Sequence, residues 1–227
     1  MSDSIGIFGD SIVKGVVYDS SRGKYIYSEN SFVKSFVKKT GIAVDNYAKF
    51  GCTLTKGEQI IEKFSSKLAQ YKYIALEFGG NDCDFFWPDI SEDPHRQHLP
   101  NTPIESFEKV YWRIVDRLMA KQYHPVLFSL PPLDPHRYFA WISKGLDAEN
   151  ILSWLGDVEF IYRWQEMYSI AVVKLAAAKN IPLVDIRKAF LQSRNYQSLL
   201  CDDGIHPNES GHSLILNTIA GHVTALL

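Results

Sequence analysis

Ser4-Ile5-Gly6-Ile7-Phe8-Gly9-Asp10-Ser11 carries a short apolar run straight into Gly-Asp-Ser. A strand that passes at once into a sharp turn and a helix holds polar groups at the carboxyl edge of an open parallel sheet, the edge where such sheets bind ligands. Similar short runs recur at Ile42 to Tyr47, Tyr73 to Phe78, Pro125 to Leu130 and Pro182 to Ile186, so five strands are expected, counting Ser4 to Phe8. Amphipathic segments separate them. That alternation predicts an α/β fold, a parallel sheet covered by helices on both faces.

The helices announce themselves by apolar spacing and by end signals. Phe32, Val33, Phe36 and Val37 form a stripe that stops at Gly41, which takes a left-handed C-terminal cap without steric cost. Thr55 and Glu58 have capping-box spacing ahead of Ile61, Phe64 and Leu68, which predicts a helix just beyond Gly51. Thr102-Pro103-Ile104-Glu105 repeats the device before Phe107, Val110, Tyr111, Ile114, Val115 and Leu118. Further helices are expected from about Val158 to Lys179 and from about Glu209 onward, the last with Leu214, Ile215, Ile219, Val223 and Leu226 inward. Two stretches exceed this minimal alternation, about 83–101 and about 131–157. Loops of that length carry structure of their own or serve function, and both follow the carboxyl ends of expected strands.

At 227 residues, 46% of them hydrophobic, the chain has enough apolar material for one sizeable core, and a single domain over 1–227 with these two insertions is expected. The 24 Lys and Arg nearly balance the 26 Asp and Glu, and no basic run occurs, which argues against nucleic acid or anionic lipid as partner. No apolar run reaches membrane-spanning length, so membrane insertion is not expected. Three cysteines without a CxxC pair fit a reducing compartment. A cytoplasmic protein is expected, with a secreted form that has lost its leader as the alternative. The sequence is silent on oligomeric state.

Several short motifs carry chemistry. Taken alone, Ser11 fits a helix N-cap as well as a nucleophile. Asp203-Gly204-Ile205-His206-Pro207 places a carboxylate three residues before an imidazole, the pair a serine needs for activation and orientation, although Asp202 is an equally placed acid. Gly79-Gly80-Asn81-Asp82 ends the third strand with an amide donor suited to developing negative charge, and Gly51 follows the second strand; each also reads as an ordinary turn residue. What distinguishes them is their joint order along one sheet edge.

In that combination the chain resembles the SGNH (GDSL) hydrolase superfamily of GDSL-like lipases and acylhydrolases. Gly9-Asp10-Ser11, Gly51, Gly79 to Asp82 and Asp203 to Pro207 match its four blocks, with Ile12 where the family name has leucine. The resemblance implies a three-layer α/β/α sandwich around a flavodoxin-like five-stranded parallel sheet. It implies a carboxylic ester hydrolase with Ser11 as nucleophile, His206 as base and Asp203 as its orienter. It also implies an oxyanion hole from the Ser11 and Gly51 N–H groups with the Asn81 side chain. The substrate expected is a small-molecule ester cleaved through an acyl-enzyme, with no cofactor and no metal. Carbohydrate O-deacetylation, thioester cleavage and lysophospholipid cleavage are alternatives within the superfamily, and a catalytically silent glycan- or acyl-binding domain is the alternative outside it. Phe85, Trp87, Tyr138 and Trp141, in the two insertions, are expected to wall the substrate pocket. Asp10 and Asp82 are read as braces of their loops. The absence of G-x-G-x-x-G after the first strand excludes a dinucleotide fingerprint, and His206 and His212 lack a third zinc ligand by spacing.

Overall fold

The computed structural model describes residues 4–226, with side chains described through residue 221. Strand β1 (Ser4–Gly9) runs into a single helical turn, α1 (Ser11–Lys14), and then into an antiparallel hairpin, β2 (Val16–Asp19) with β3 (Lys24–Tyr27). Next come α2 (Phe32–Thr40), β4 (Ala43–Asn46), α3 (Leu54–Lys63), β5 (Tyr73–Glu77), α4 (Trp87–Glu92) and α5 (Ile104–Ala120). The remainder is β6 (Pro125–Phe128), α6 (Pro135–Ile142), α7 (Ala148–Leu155), α8 (Glu159–Lys179), β7 (Leu183–Val184), α9 (Ile186–Leu191) and α10 (Glu209–Leu226).

Five strands form one parallel sheet in the order β4-β1-β5-β6-β7. The chain leaves β1 to one side for β4 and then crosses back to the other side for β5. Open α/β sheets make their ligand crevice at such a reversal, beyond the carboxyl ends of the strands, and Ser11 stands just past the end of β1.

Alternation along the strands divides the core. Phe8, Ile74, Leu76 and Leu127 face α3, α5 and α8, where Phe107, Tyr111, Ile114 and Tyr168 are buried. Their neighbours Ile7, Ala75, Val126, Phe128 and Val184 face the opposite layer, with Phe32 and Val33 of α2, Phe190 of α9 and Ile215 of α10. Truncating a side chain such as Phe107 to alanine would cost about 3–5 kcal/mol through the cavity left behind. A third apolar cluster sits apart from the sheet. It joins Phe85, Trp87 and Ile90 of the first insertion to Leu133, Tyr138, Ile151 and Leu155 of the second, and to Ile161 of α8.

The expected elements appear with four corrections. The hairpin at residues 16–27 has no counterpart in the expected alternation, which ran from Ser11 directly to the Phe32 helix. Thr55 and Glu58 do not form a capping box: α3 starts at Leu54, the Asp82 carboxylate accepts from its first N–H (2.9 and 3.0 Å), and Glu58 pairs instead with Arg113 and Arg117 of α5. Thr102 makes no side-chain cap, and Pro103 lies one position ahead of α5. The last strand is only Leu183–Val184, because Asp185 caps a helix that takes Ile186, accepting from Lys188 N–H at 3.0 Å. Both insertions contain helices, as their lengths required. Gly41 ends α2 at φ +73°. Val223 and Leu226 lie outside the residues whose side chains are described.

Candidate active site

Asp203, Gly204 and His206 form a tight loop ahead of α10. Gly204 has φ +77°, and a Cβ there would meet the Asp134 carbonyl and Arg137 Cβ at 2.8 Å, so only glycine lets α6 pack this closely. The turn folds the Asp203 carboxylate back onto its own backbone: Oδ1 accepts from the Ile205 and His206 N–H groups at 3.0 and 3.1 Å. Oδ2 meets His206 Nδ1 at 2.6 Å, and His206 Nε2 meets Ser11 Oγ at 2.8 Å. Ser11, Asp203 and His206 are all buried. Burial alone pushes the Asp203 carboxyl up, but the His206 hydrogen bond and charge, aided by the two N–H groups, hold it below the usual carboxylate range. An ionised Asp203 on Nδ1 fixes the tautomer that leaves Nε2 to accept from the serine hydroxyl. Asp202, the rival by spacing, faces away and accepts from Ser20 Oγ at 2.5 Å.

The Asn81 corner is built on another principle. Asp10 caps α1 by accepting from Ile12 N–H (2.9 Å), and its other oxygen accepts from Asn81 Nδ2 (2.9 Å). One amide hydrogen of Asn81 is thereby anchored and the second is left for a ligand. Among the described residues no hydrogen bond engages the Ser11 or Gly51 N–H; Gly51 turns at φ +65°, next to Phe50, whose ring stacks over His206 at 6.2 Å. Glu77 ends β5 fully buried, and neither of its oxygens makes a well-formed hydrogen bond among the described residues. Its neighbour is the Asp10 carboxyl. Burial first, and the Asp10 charge second, push Glu77 well above the usual carboxylate range. Burial also lifts Asp82, to about 6, and raises Asp10. Asp10 and Asp82 are the loop braces the sequence suggests.

A cavity of about 340 Å³ opens at Ser11 and His206. Phe85, Trp87, Tyr138 and Trp141, the four expected wall residues, all line it, as do Asn81 and Asp10. Residues not anticipated from sequence join them: Tyr25 from the hairpin, Trp164 and Gln165 from α8, and Asp84, which accepts from Tyr138 OH (2.7 Å) and Trp87 Nε1 (2.9 Å). Asp84 lies three residues past Asn81 in an aromatic run, a signal that was available. No sequence signal marks Tyr25. The three thiols are buried; burial pushes Cys52 and Cys201 up to about 11 and Cys83 well above the usual range, leaving them protonated and unreactive at neutral pH. Among the described residues no cluster of His, Cys, Asp or Glu has the arrangement of a metal site, and no helix is long and apolar enough to cross a membrane.

Comparison with known proteins bears on the family and the fold. Residues 7–214 match the model of the GDSL-like lipase/acylhydrolase family. The chain is 24% identical over 220 residues to the GDSL esterase/lipase CPRD49 of Arabidopsis thaliana, covering 95% of this chain and 76% of that protein. The fold is that of a lipase/acylhydrolase from Enterococcus faecalis (TM-score 0.70, 18% identity, covering 99% of this chain and 97% of that one). It is also that of an acetyl-xylooligosaccharide esterase from Geobacillus (TM-score 0.68, 17% identity, 97% and 94% covered). With its five-stranded parallel sheet of SGNH type, the chain belongs to the GDSL-like lipase/acylhydrolase family and is a carboxylic ester hydrolase.

Proposed function

We propose that the protein hydrolyses a small acyl ester through a Ser11 acyl-enzyme. The carrying observation is the unbroken relay from Asp203 through His206 to Ser11, with contacts of 2.6 and 2.8 Å. In this reading His206 takes the Ser11 proton as Oγ attacks the carbonyl, then returns it to the leaving alcohol; water clears the acyl group by the same route. The second Asn81 amide hydrogen and the Ser11 and Gly51 N–H groups stabilise the oxyanion. Cofactor and metal have no part in this scheme.

The aromatic wall and the Asp84 carboxylate favour one subclass, esters of a ring-bearing, hydroxylated alcohol, since aromatic faces pack against sugar rings and a carboxylate accepts from their hydroxyls. Carbohydrate deacetylation is therefore the second reading. A serine-directed organophosphonate is expected to label Ser11 alone and abolish hydrolysis of p-nitrophenyl acetate in metal-free buffer; activity retained by Ser11→Ala would overturn the mechanism. Assay against p-nitrophenyl esters of graded chain length and against acetylated sugars separates the two readings.

A further inference from the structure

The hairpin of β2 and β3 belongs to no layer of the sandwich, yet three consecutive residues of the catalytic loop bond to it. Tyr18 N–H points to Cys201 Sγ (3.4 Å), Ser20 Oγ donates to Asp202 (2.5 Å), and Tyr25 OH donates to Asp203 Oδ2 (3.0 Å). The last contact falls on the same oxygen that receives His206 Nδ1. A carboxylate offers about four acceptor positions. With Ile205 N–H and His206 N–H on Oδ1, and His206 Nδ1 and Tyr25 OH on Oδ2, all are filled. Tyr25 thus completes the solvation of a carboxylate that has no water-facing surface, being 0% exposed.

The same ring lies at the pocket. It lines the cavity, stands 5.1 Å from the His206 ring, and packs with Phe50 at 5.5 Å and Trp141 at 6.2 Å; Trp141 also packs edge-on with Tyr18 at 4.6 Å. We propose that Tyr25 is a positioning residue of the triad, its hydroxyl setting the basicity and orientation of Asp203 while its ring shapes the substrate pocket. Burial and the Asp203 charge raise the phenol, which keeps it a donor throughout the working pH range. The inference rests on the triad reading above.

Removing the hydroxyl leaves one acceptor position of Asp203 empty. The carboxylate then interacts more strongly with protonated His206, and the acidic limb of kcat/KM moves to higher pH. The other groups whose charge acts on His206 among the described residues are Asp10 and buried His212, which burial and the His206 charge lower to about 4. Arg137, on the helix packed against Gly204, is held by Asp134 at 3.3 Å. None of these is altered by the change, so the limb reports on Tyr25.

The test compares pH profiles, kcat, KM and melting temperature of wild type, Tyr25→Phe and Tyr25→Ala on p-nitrophenyl acetate. Tyr25→Phe is expected to lower kcat on the order of tenfold, the scale of losing one hydrogen bond to a charged group. KM should hold and the acidic limb should rise. Tyr25→Ala should add a rise in KM. A lower melting temperature with kcat and limb unchanged in Tyr25→Phe would assign the tyrosine to folding alone and overturn the proposal. Failure of the triad itself is read separately, from activity surviving in Ser11→Ala.

Discussion

Asp203 and Glu77 are buried to the same degree, 0% and 1% exposed, at the same edge of one sheet, and their carboxyls are shifted in opposite directions. In the loop before α10, three donors and an imidazole surround the carboxylate and hold it below the usual carboxylate range. At the end of β5 the Glu77 oxygens make no well-formed hydrogen bond among the described residues, and the first charge acting on them is another acid, Asp10. Burial is common to both, so the donor count and the sign of the neighbour decide the outcome. An ionised acid suits the role proposed for Asp203, that of stabilising a cationic imidazolium. In the proposed mechanism a raised Glu77 carboxyl spares the site a further buried negative charge, which would oppose a developing oxyanion.

The most severe way to break the comparison is Asp203→Asn, which keeps shape and removes charge. In this scheme it inverts the tautomer of His206, and kcat is expected to fall about 10⁴-fold, as in other serine triads. Steady-state kinetics on folded protein checks it, with Asp202→Asn as the control expected near wild type. Asn81→Ala tests the other corner. It should lower kcat on the order of a hundredfold, about 3 kcal/mol of barrier, with KM nearly constant. A large fall in melting temperature with kcat preserved would instead make Asn81 a turn residue only.

Glu77→Gln leaves a neutral donor toward Asp10 and should keep most of the activity. Its signature lies in stability against pH. A carboxyl whose folded pKa is raised binds its proton more tightly in the native state, so wild type loses stability as pH climbs from the unfolded value of 4.5 toward the folded one. The glutamine variant lacks that loss. Urea midpoints at pH 5 and pH 8 should therefore show the variant gaining on wild type, by about 1.4 kcal/mol for each unit of displacement. A constant difference would mean that Glu77 is ionised in the native protein.

Glu58 sharpens the contrast at the smallest scale, being a half-screened carboxylate kept charged by cations. The Arg113 hydrogen bonds lower it first, with Arg117 adding its charge. A lowered acid contributes above its unfolded pKa and loses that contribution as pH falls. Glu58→Gln should cost about 0.5–1 kcal/mol at pH 7 and almost nothing near pH 3, by chemical denaturation.

Much of the site was legible because its signals are local. Asp203, Gly204 and His206 interact within one turn, and Gly41 and the Glu159–Lys179 helix follow from end signals and apolar spacing inside single elements. What escaped depends on partners distant in sequence. Asp82 displaces the expected Thr55 cap because β5 delivers it to the start of α3, and Glu58 is drawn away by arginines 55 and 59 residues further on. The hairpin was hidden for a similar reason: Tyr18, Ser20 and Tyr25 find their partners more than 175 residues downstream. Glu77 reads as one charge in an apolar strand, and its upward shift follows from burial beside Asp10, which no local signal shows.

The contact between Ser11 and His206 spans 195 residues of sequence, and this separation bears on the order of events during synthesis. The strand that leads to Ser11, the nucleophile of the proposed mechanism, emerges before β4 and β5 and can pair with each as it appears. The base and its acid follow only after β7 and α9. In the proposed mechanism a growing chain therefore carries a serine with no imidazole to activate it until the last flank of the sheet has been made, and ester-cleaving capacity would arrive late and all at once. Ribosome-stalled chains ending before Asp203 should accordingly remain unreactive toward a phosphonate that labels the finished protein.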